Sequence, residues 1–218
     1  MTKVLGIDEA GRGPVIGPMV IAGIMINEED EYLLEEAKDS KLVLHKKRLQ
    51  LDKKFKENDK IDYKIIVIEP EIIDAAVLSG ELNLNWLEAH KQAEIINEMQ
   101  PDKAIIDCPS INCEAYEKYL RELIENKNIQ LIVEHKADIN YKVVSAASIL
   151  AKVEREKQMN LIREKYGDCG PGYPSNQKTQ DFVKNNWNKY PTIFRKSWST
   201  YKKCANPEKQ KTLTGYEI

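Results

Sequence analysis

"KAIIDCPSINCEAYEKYLRELIENKNIQLIVEH", residues 103–135, reads as strand, helix, strand. The apolar runs "KAIID" and "QLIVEH" flank "CEAYEKYLRELIENK", a segment of helical length and pattern. Two strands joined by a helix of that length need a crossover connection, which sets them parallel in one sheet. On the C-terminal side the helical "YKVVSAASILAKVEREKQMNLIREKY" (141–166) follows. On the other side lie "NWLEAHKQAEIINEM" (85–99), a helix with an apolar stripe of Trp86, Leu87, His90, Ala93, Ile95 and Ile96, and "EIIDAAVLSG", a helix opened by Pro70. The β-branched "YKIIVIE" (63–69), "KVLGID" (3–8) and "VIGPMVIAGIMI" (15–26) read as three more strands. A tight Gly/Pro turn joins the last two, which makes them antiparallel. Residues 28–58 suggest two exposed helices separated by "KDSK". The expectation is an α/β chain: a mixed five-stranded sheet flanked by helices. From Gly167 the pattern breaks at "GDCGPGYPS", resumes as the helix-like "NQKTQDFVKNNWNKY", and ends in a polar tail after Tyr201.

With 218 residues, 42% of them hydrophobic, the chain can bury one sizeable core. "MTKVLGID" lacks the features of a signal peptide, and Val15–Ile26 is too short to span a bilayer and is broken by Gly17, Pro18 and Gly23, so a cytoplasmic location is expected. Cys108, Cys113, Cys169 and Cys204 form no C-x-x-C pair, and His45, His90 and His135 stand far apart in sequence, so reduced thiols are expected rather than a zinc site or disulfides. The net charge of −2 divides into −10 over residues 1–138 and +8 over residues 139–218. That division suits carboxylates gathering metal in one half and lysines gathering phosphate in the other.

Asp8 ends the first strand, Asp107 ends "KAIID", and Asp138 follows "QLIVEH" by a few residues. In an α/β sheet the carboxyl ends of the strands form the ligand crevice. A single strand-end Asp is commonly solvated or caps a helix, but three of them with Glu9 alongside form a self-repelling cluster that a hard cation such as Mg²⁺ or Mn²⁺ would compensate. Phosphoryl transfer between two such ions is the chemistry that uses this set. Neighbours on a strand face opposite ways, so Asp8 and Glu9 share one site only if the strand twists or ends there. "GRGPVIG" is not a dinucleotide fingerprint: its third glycine comes one position late and a strand follows it. Glycines on either side of Arg12 let the backbone approach a ligand or simply serve a tight hairpin.

The strings "GIDEAGRGPVIGPMV", "DSK" (39–41), "AIID", "HKAD", "SAASILAK" (145–152) and "GPGYPS" together resemble ribonuclease HII, most closely its archaeal members. They spread in that family's order over residues 4–176. The resemblance implies an RNase H-like catalytic domain over 1–166, a helical substrate-binding extension over 167–204 and a polar tail over 205–218. It implies hydrolysis of the RNA strand of RNA/DNA hybrids and nicking 5′ to ribonucleotides embedded in duplex DNA. By motif match, the metal-binding and catalytic acids are Asp8, Glu9, Asp107 and Asp138, with two Mg²⁺ or Mn²⁺ ions. Gly11, Arg12 and Gly13 present the backbone that senses the ribose 2′-OH, the group that separates RNA from DNA. The junction-sensing tyrosine falls on Tyr173 of "GPGYPS", with Tyr166 the alternative. Ser40 and Lys41 would contact phosphate. In "SAASILAK" small residues would let the helix pack closely on the sheet, with Lys152 facing nucleic acid or solvent.

Gln210, Leu213 and Tyr216 have the Q-x-x-L-x-x-Y spacing that resembles a sliding-clamp-binding peptide, though Glu217 stands where a second aromatic belongs. No oligomer signal is visible and a monomer is expected. Two rival classes fit less well. An α/β phosphatase would need a D-x-D nucleophile where this chain has "DEAGRG", and a non-catalytic nucleic-acid module would have no use for four acids beside a polyanion.

Overall fold

The computed structural model describes residues 1–37 and 44–206. Ser40, Lys41, Gln210, Leu213 and Tyr216 lie outside the described residues. Five strands, β1 (Lys3–Ala10), β2 (Met19–Asn27), β3 (Asp62–Ile68), β4 (Lys103–Asp107) and β5 (Gln130–Glu134), form a sheet of order β3-β2-β1-β4-β5. The pairs β1–β2 and β2–β3 are antiparallel, and β1–β4 and β4–β5 are parallel. The helices are α1 (His45–Lys56), α2 (Pro70–Leu78), α3 (Leu84–Met99), α4 (Cys113–Leu123), α5 (Ala137–Asn140), α6 (Lys142–Tyr166), α7 (Gln177–Asn186) and α8 (Ser199–Ala205), with a 3₁₀ helix over Glu28–Ala37. This is the mixed five-stranded sheet the sequence predicts.

Alternation along β1 sorts its side chains into two cores. Leu5 and Ile7 pack with Ile95, Ala89, Tyr116 and Leu120 of α3 and α4. Val4 and Ala10 face the other way, onto Ala146, Ile149 and Leu150 of α6. Gly6 is what brings α6 so close: a Cβ there would stand 2.5 Å from the backbone of Val143 and Val144. The small residues of "SAASILAK" therefore pack the helix against the sheet, as expected, and the helix carries Ser148 and Lys152 towards the ends of β1 and β4.

Three expectations need correction. The second strand begins at Met19, not Val15, because Gly17 takes φ +84° and turns the chain. Val15 and Ile16 instead join Met159, Val183, Ile193, Phe194 and Tyr201 in a third core, with Ile16 bridged to Phe194. The polar tail does not begin after Tyr201: α8 runs on to Ala205, anchored by the buried Tyr201 ring. The stripe on α3 omits His90, which is exposed, and includes Glu88 and Gln92, both fully buried.

Candidate active site

The parallel register sets the site. Ile7 pairs with Ile106, so Asp8 and Asp107 follow side by side; Asp107 ends β4, whereas β1 runs two residues past Asp8 to Ala10 rather than ending at it. Beyond β5, Lys136 adopts φ +62° and starts α5, which turns the chain back. The Ala137 amide then donates to Asp107 Oδ1 at 3.0 Å, and Asp138 is delivered to the same point. Carboxylate oxygens of Asp8, Asp107 and Asp138 all lie within 4.8 Å of one another. Glu9 stands outside this trio. Strand alternation turns it towards α3, where it faces Glu88 and Arg12, while still feeling the charges of Asp8 and Asp107.

Without a cation this arrangement is electrostatically costly. Burial, reinforced by Asp107, pushes the Asp8 carboxyl up to about 7, although Ser148, the Glu9 amide and Lys152 pull it down. Burial and then the neighbouring Asp8, Glu88 and Asp107 hold Glu9 well above the carboxylate range. One oxygen of Glu9, Oε2, is buried with no hydrogen-bond partner. A buried, mutually repelling oxygen-donor set with an unsatisfied acceptor fits a hard divalent cation.

Beside the acids the Gly11–Gly13 loop is fixed from two directions. The Arg12 side chain turns inward: its Nε donates to both oxygens of Glu88 at 2.9 and 3.1 Å, and Nη2 donates to Asn85. Burial pushes Glu88 up to about 7 against the opposing pull of Arg12. The Arg12 guanidinium is therefore engaged by Glu88 and Asn85. From the C-terminal side Arg195, fully buried, donates to the carbonyls of Gly11 (2.6 Å), Arg12 (2.8 Å) and Gly17 (3.0 Å). Trp198 Nε1 donates to the Gly13 carbonyl at 3.0 Å. Asp74 holds that segment in turn by accepting from the Lys196 and Ser197 amides and the Ser197 hydroxyl.

Glu9, Gly11, Arg12, Gly13, Lys152, Arg155 and Tyr173 line a cleft of about 370 Å³ with His45 and Arg48. A Cβ on Gly13 would lie 3.9 Å from the Tyr173 ring, and the Arg155 guanidinium backs that ring at 5.1 Å. Gly11 is required here, since at φ +83° any side chain would collide with Arg155. Tyr166 is elsewhere, its ring 4.9 Å from that of Tyr190. Arg195, Trp198, Arg155 and Glu88 are the residues sequence reasoning missed. A buried charge on an apolar face of α3 and an Arg–x–x–Trp in the C-terminal segment are the traces they leave.

The family model for ribonuclease HII matches residues 5–201. The chain belongs to the ribonuclease HII family. It is 41% identical to the ribonuclease HII of Methanosphaera stadtmanae over 202 residues, 91% of this chain and 93% of that protein. It is similar to the crystal structure of ribonuclease H2 from Pyrococcus horikoshii, with TM-score 0.85 and 34% identity over 95% of this chain and 99% of the other. It is also similar to the ribonuclease HII in the PCNA:RNase HII complex from Archaeoglobus fulgidus, with TM-score 0.80 and 34% identity over 91% and 95% of the two chains. The RNase H-like fold is thereby established, and the protein is an RNase H endoribonuclease acting on RNA/DNA hybrids. The family depends on a divalent metal, and the aspartate trio is where this chain's donors gather. Among the described residues no helix is long and apolar enough to cross a membrane.

A pH dependence follows for the metal-free ribonuclease HII. Folded Asp8 keeps its proton up to about 7, whereas the unfolded chain loses it near 3.8. Between those values unfolding releases a proton, so stability falls as pH rises. Melting scans in chelator should show Tm decreasing from about pH 5 to about pH 7, and added Mg²⁺ should raise Tm more at the higher pH. A metal-free Tm that climbs over this interval would contradict the assignment of a buried, repelling Asp8.

Proposed function

We propose that this ribonuclease HII cleaves the phosphodiester 5′ to a ribonucleotide, leaving 5′-phosphate and 3′-hydroxyl ends, and that it nicks at single ribonucleotides in duplex DNA during replication and repair. The observation that carries this reading is an aspartate trio gathered within 4.8 Å beside a cleft that Glu9, Gly11–Gly13, Lys152 and Tyr173 line together. Asp8, Asp107 and Asp138 would hold Mg²⁺ or Mn²⁺ from one face of β1, and Glu9, with its unpartnered oxygen, from the other. When bound, two such ions supply an activated water and a stabilised leaving oxygen. The protein positions the strand for that chemistry, and no side chain becomes covalently attached.

Each remaining part has a job in the same reading. Backbone groups of Gly11, Arg12 and Gly13 recognise the 2′-hydroxyl, which both donates and accepts. Tyr173, 39% exposed and braced by Arg155, stacks on the next sugar where that hydroxyl is missing. Lys152, with Ser40 and Lys41 from outside the described residues, contacts phosphate. Residues 167–204 act as a substrate-binding extension, since they contribute Tyr173, Arg195 and Trp198 to the loop and cleft.

The enzyme acts as a monomer in the cytoplasm, with its four cysteines free. Gln210, Leu213 and Tyr216 dock on a sliding clamp, a reading supported by the complex of the Archaeoglobus relative with PCNA. Deletion of residues 209–218 should abolish capture by the clamp and leave cleavage of free hybrid unchanged; unchanged capture would refute the docking.

The test of the catalytic reading is a DNA duplex carrying one ribonucleotide, incubated with Mg²⁺ or Mn²⁺. One cut 5′ to the ribonucleotide is expected, with the all-DNA duplex untouched. A 3′-phosphate or cyclic phosphate product, or cleavage that survives chelation, would overturn it.

A further inference from the structure

A second group of potential ligands sits beside the aspartate trio and plays no part in the reaction above. Asp107 of β4 pairs with Glu134 of β5, and the Cys108 amide donates to the Glu134 carbonyl at 2.9 Å. The residues that follow, Cys108 and His135, therefore leave the sheet as neighbours. The loop from Pro109 to Asn112 then doubles back. The Asn112 amide donates to Ser110 Oγ at 3.3 Å, and Asn112 caps α4 by accepting from the Ala115 amide at 3.0 Å. That returns Cys113, the first residue of α4, to the same point. The two sulfurs and a ring nitrogen of His135 all lie within 4.8 Å of one another. Sequence separation had argued against a zinc site, and the parallel register brings the three residues together regardless.

We propose that Cys108, Cys113 and His135 form a second metal site, separate from the carboxylates, that takes a thiophilic cation of the Zn²⁺ type. The donor set is the argument. Two thiolates and one imidazole are soft ligands that a hard oxygen-seeking cation does not favour. A Cys-x₄-Cys loop with a histidine is a recurrent zinc arrangement, and tetrahedral bonds of about 2.0–2.3 Å require ligand separations of roughly 3.5–3.8 Å, a small side-chain adjustment from the spacing seen. Burial is graded as such a site needs: Cys108 is buried, Cys113 half-buried and His135 exposed, so the fourth position opens to solvent. In the metal-free protein the Cys108 thiol donates to the Ser110 carbonyl at 3.4 Å. The ligating form of each cysteine is the thiolate, so binding one divalent cation releases the protons the thiols hold, and no electron changes hands. The bound ion ties the end of β4 to the end of β5, immediately after Asp107 and three residues before Asp138.

Co²⁺ reports this site without relying on activity. The full chain, kept reduced with a phosphine and saturated with Mg²⁺ at the carboxylates, is titrated with Co²⁺. Binding should produce a near-ultraviolet thiolate-to-cobalt band and the strong visible bands of tetrahedral geometry, saturating at one equivalent and erased by Zn²⁺. Oxygen ligands give no thiolate band, so the two sites are distinguishable. Cys113→Ser should lose at least half of the band's intensity, and His135→Ala should weaken Zn²⁺ binding by roughly tenfold or more. Both variants should still cleave hybrid with Mg²⁺, which shows that they fold. Asp138→Asn should keep the band. Absence of the band in the parent, its undiminished intensity in Cys113→Ser, its loss in Asp138→Asn, or uptake of cobalt only after the two thiols have been lost to a disulfide would each overturn the proposal.

Discussion

Asp8→Asn should lower hybrid cleavage by ~10³-fold or more and, at the same time, raise the melting temperature of the metal-free protein. The two effects have one cause. Three carboxylates gathered within 4.8 Å repel one another unless a cation compensates them, and the fold bears that repulsion when none is bound. A metal centre that polarises phosphate and generates a nucleophile is worth several kcal/mol of transition-state stabilisation, and ~4 kcal/mol corresponds to about three decades in rate. Asparagine keeps the shape and the bond from the Glu9 amide to Oδ1, 2.7 Å in the parent, but removes the charge. Because burial holds the Asp8 carboxyl up to about 7, an uncharged side chain should be better tolerated there as pH rises above that value. Single-turnover cleavage of an end-labelled hybrid at saturating Mg²⁺, with melting in chelator at about pH 8, measures both. Activity within tenfold of the parent, or a lowered metal-free Tm, would show that Asp8 is an ordinary strand-end acid.

The sheet was legible because its strands are short β-branched runs separated by unmistakable helices, and a helical crossover leaves no choice but parallel pairing. The acids were legible for a related reason: Asp107 ends β4, and Asp8, read as a strand end, lies two residues short of the end of β1, close enough for the parallel register to bring the two together. What escaped was whatever the sequence presents as the wrong type of residue for its place. Glu88 lies on the buried face of α3, where a periodicity reading expects an apolar side chain and substitutes His90. It is buried because Arg12, many residues away in the chain, neutralises it, and a pairing between distant segments leaves no local pattern. Val15 and Ile16 look like strand because they are β-branched, yet Gly17 and Pro18 turn them aside to meet Phe194. The Cys108, Cys113 and His135 cluster was missed by measuring distance along the chain where only the register matters.

Arg195 is the residue whose loss should separate shape from chemistry most clearly. Its side chain touches none of the aspartates, and Arg195→Met keeps the volume while leaving three buried carbonyls, those of Gly11, Arg12 and Gly17, without their donor. Each charge-assisted bond of this kind contributes about 1.5–3 kcal/mol, so losing three should lower the unfolding free energy by roughly 4.5 kcal/mol or more. A merely structural arginine would stop there. The carbonyls it holds belong to the loop proposed above to face the ribose, so on that reading a loop released from Arg195 should also lose its preference for a ribonucleotide. At a temperature where the variant is fully folded, cleavage of a single-ribonucleotide duplex should fall by about 10²-fold, the scale expected when positioning slips by an ångström. Arg195→Lys, able to reach only part of the set, should recover some stability without recovering discrimination. Trp198→Phe, which removes the bond to the Gly13 carbonyl, should cost about 1 kcal/mol, less than the loss in Arg195→Met. If Arg195→Met loses stability yet nicks the ribonucleotide duplex as fast as the parent, the loop's shape is set by its own glycines and the C-terminal segment only covers it.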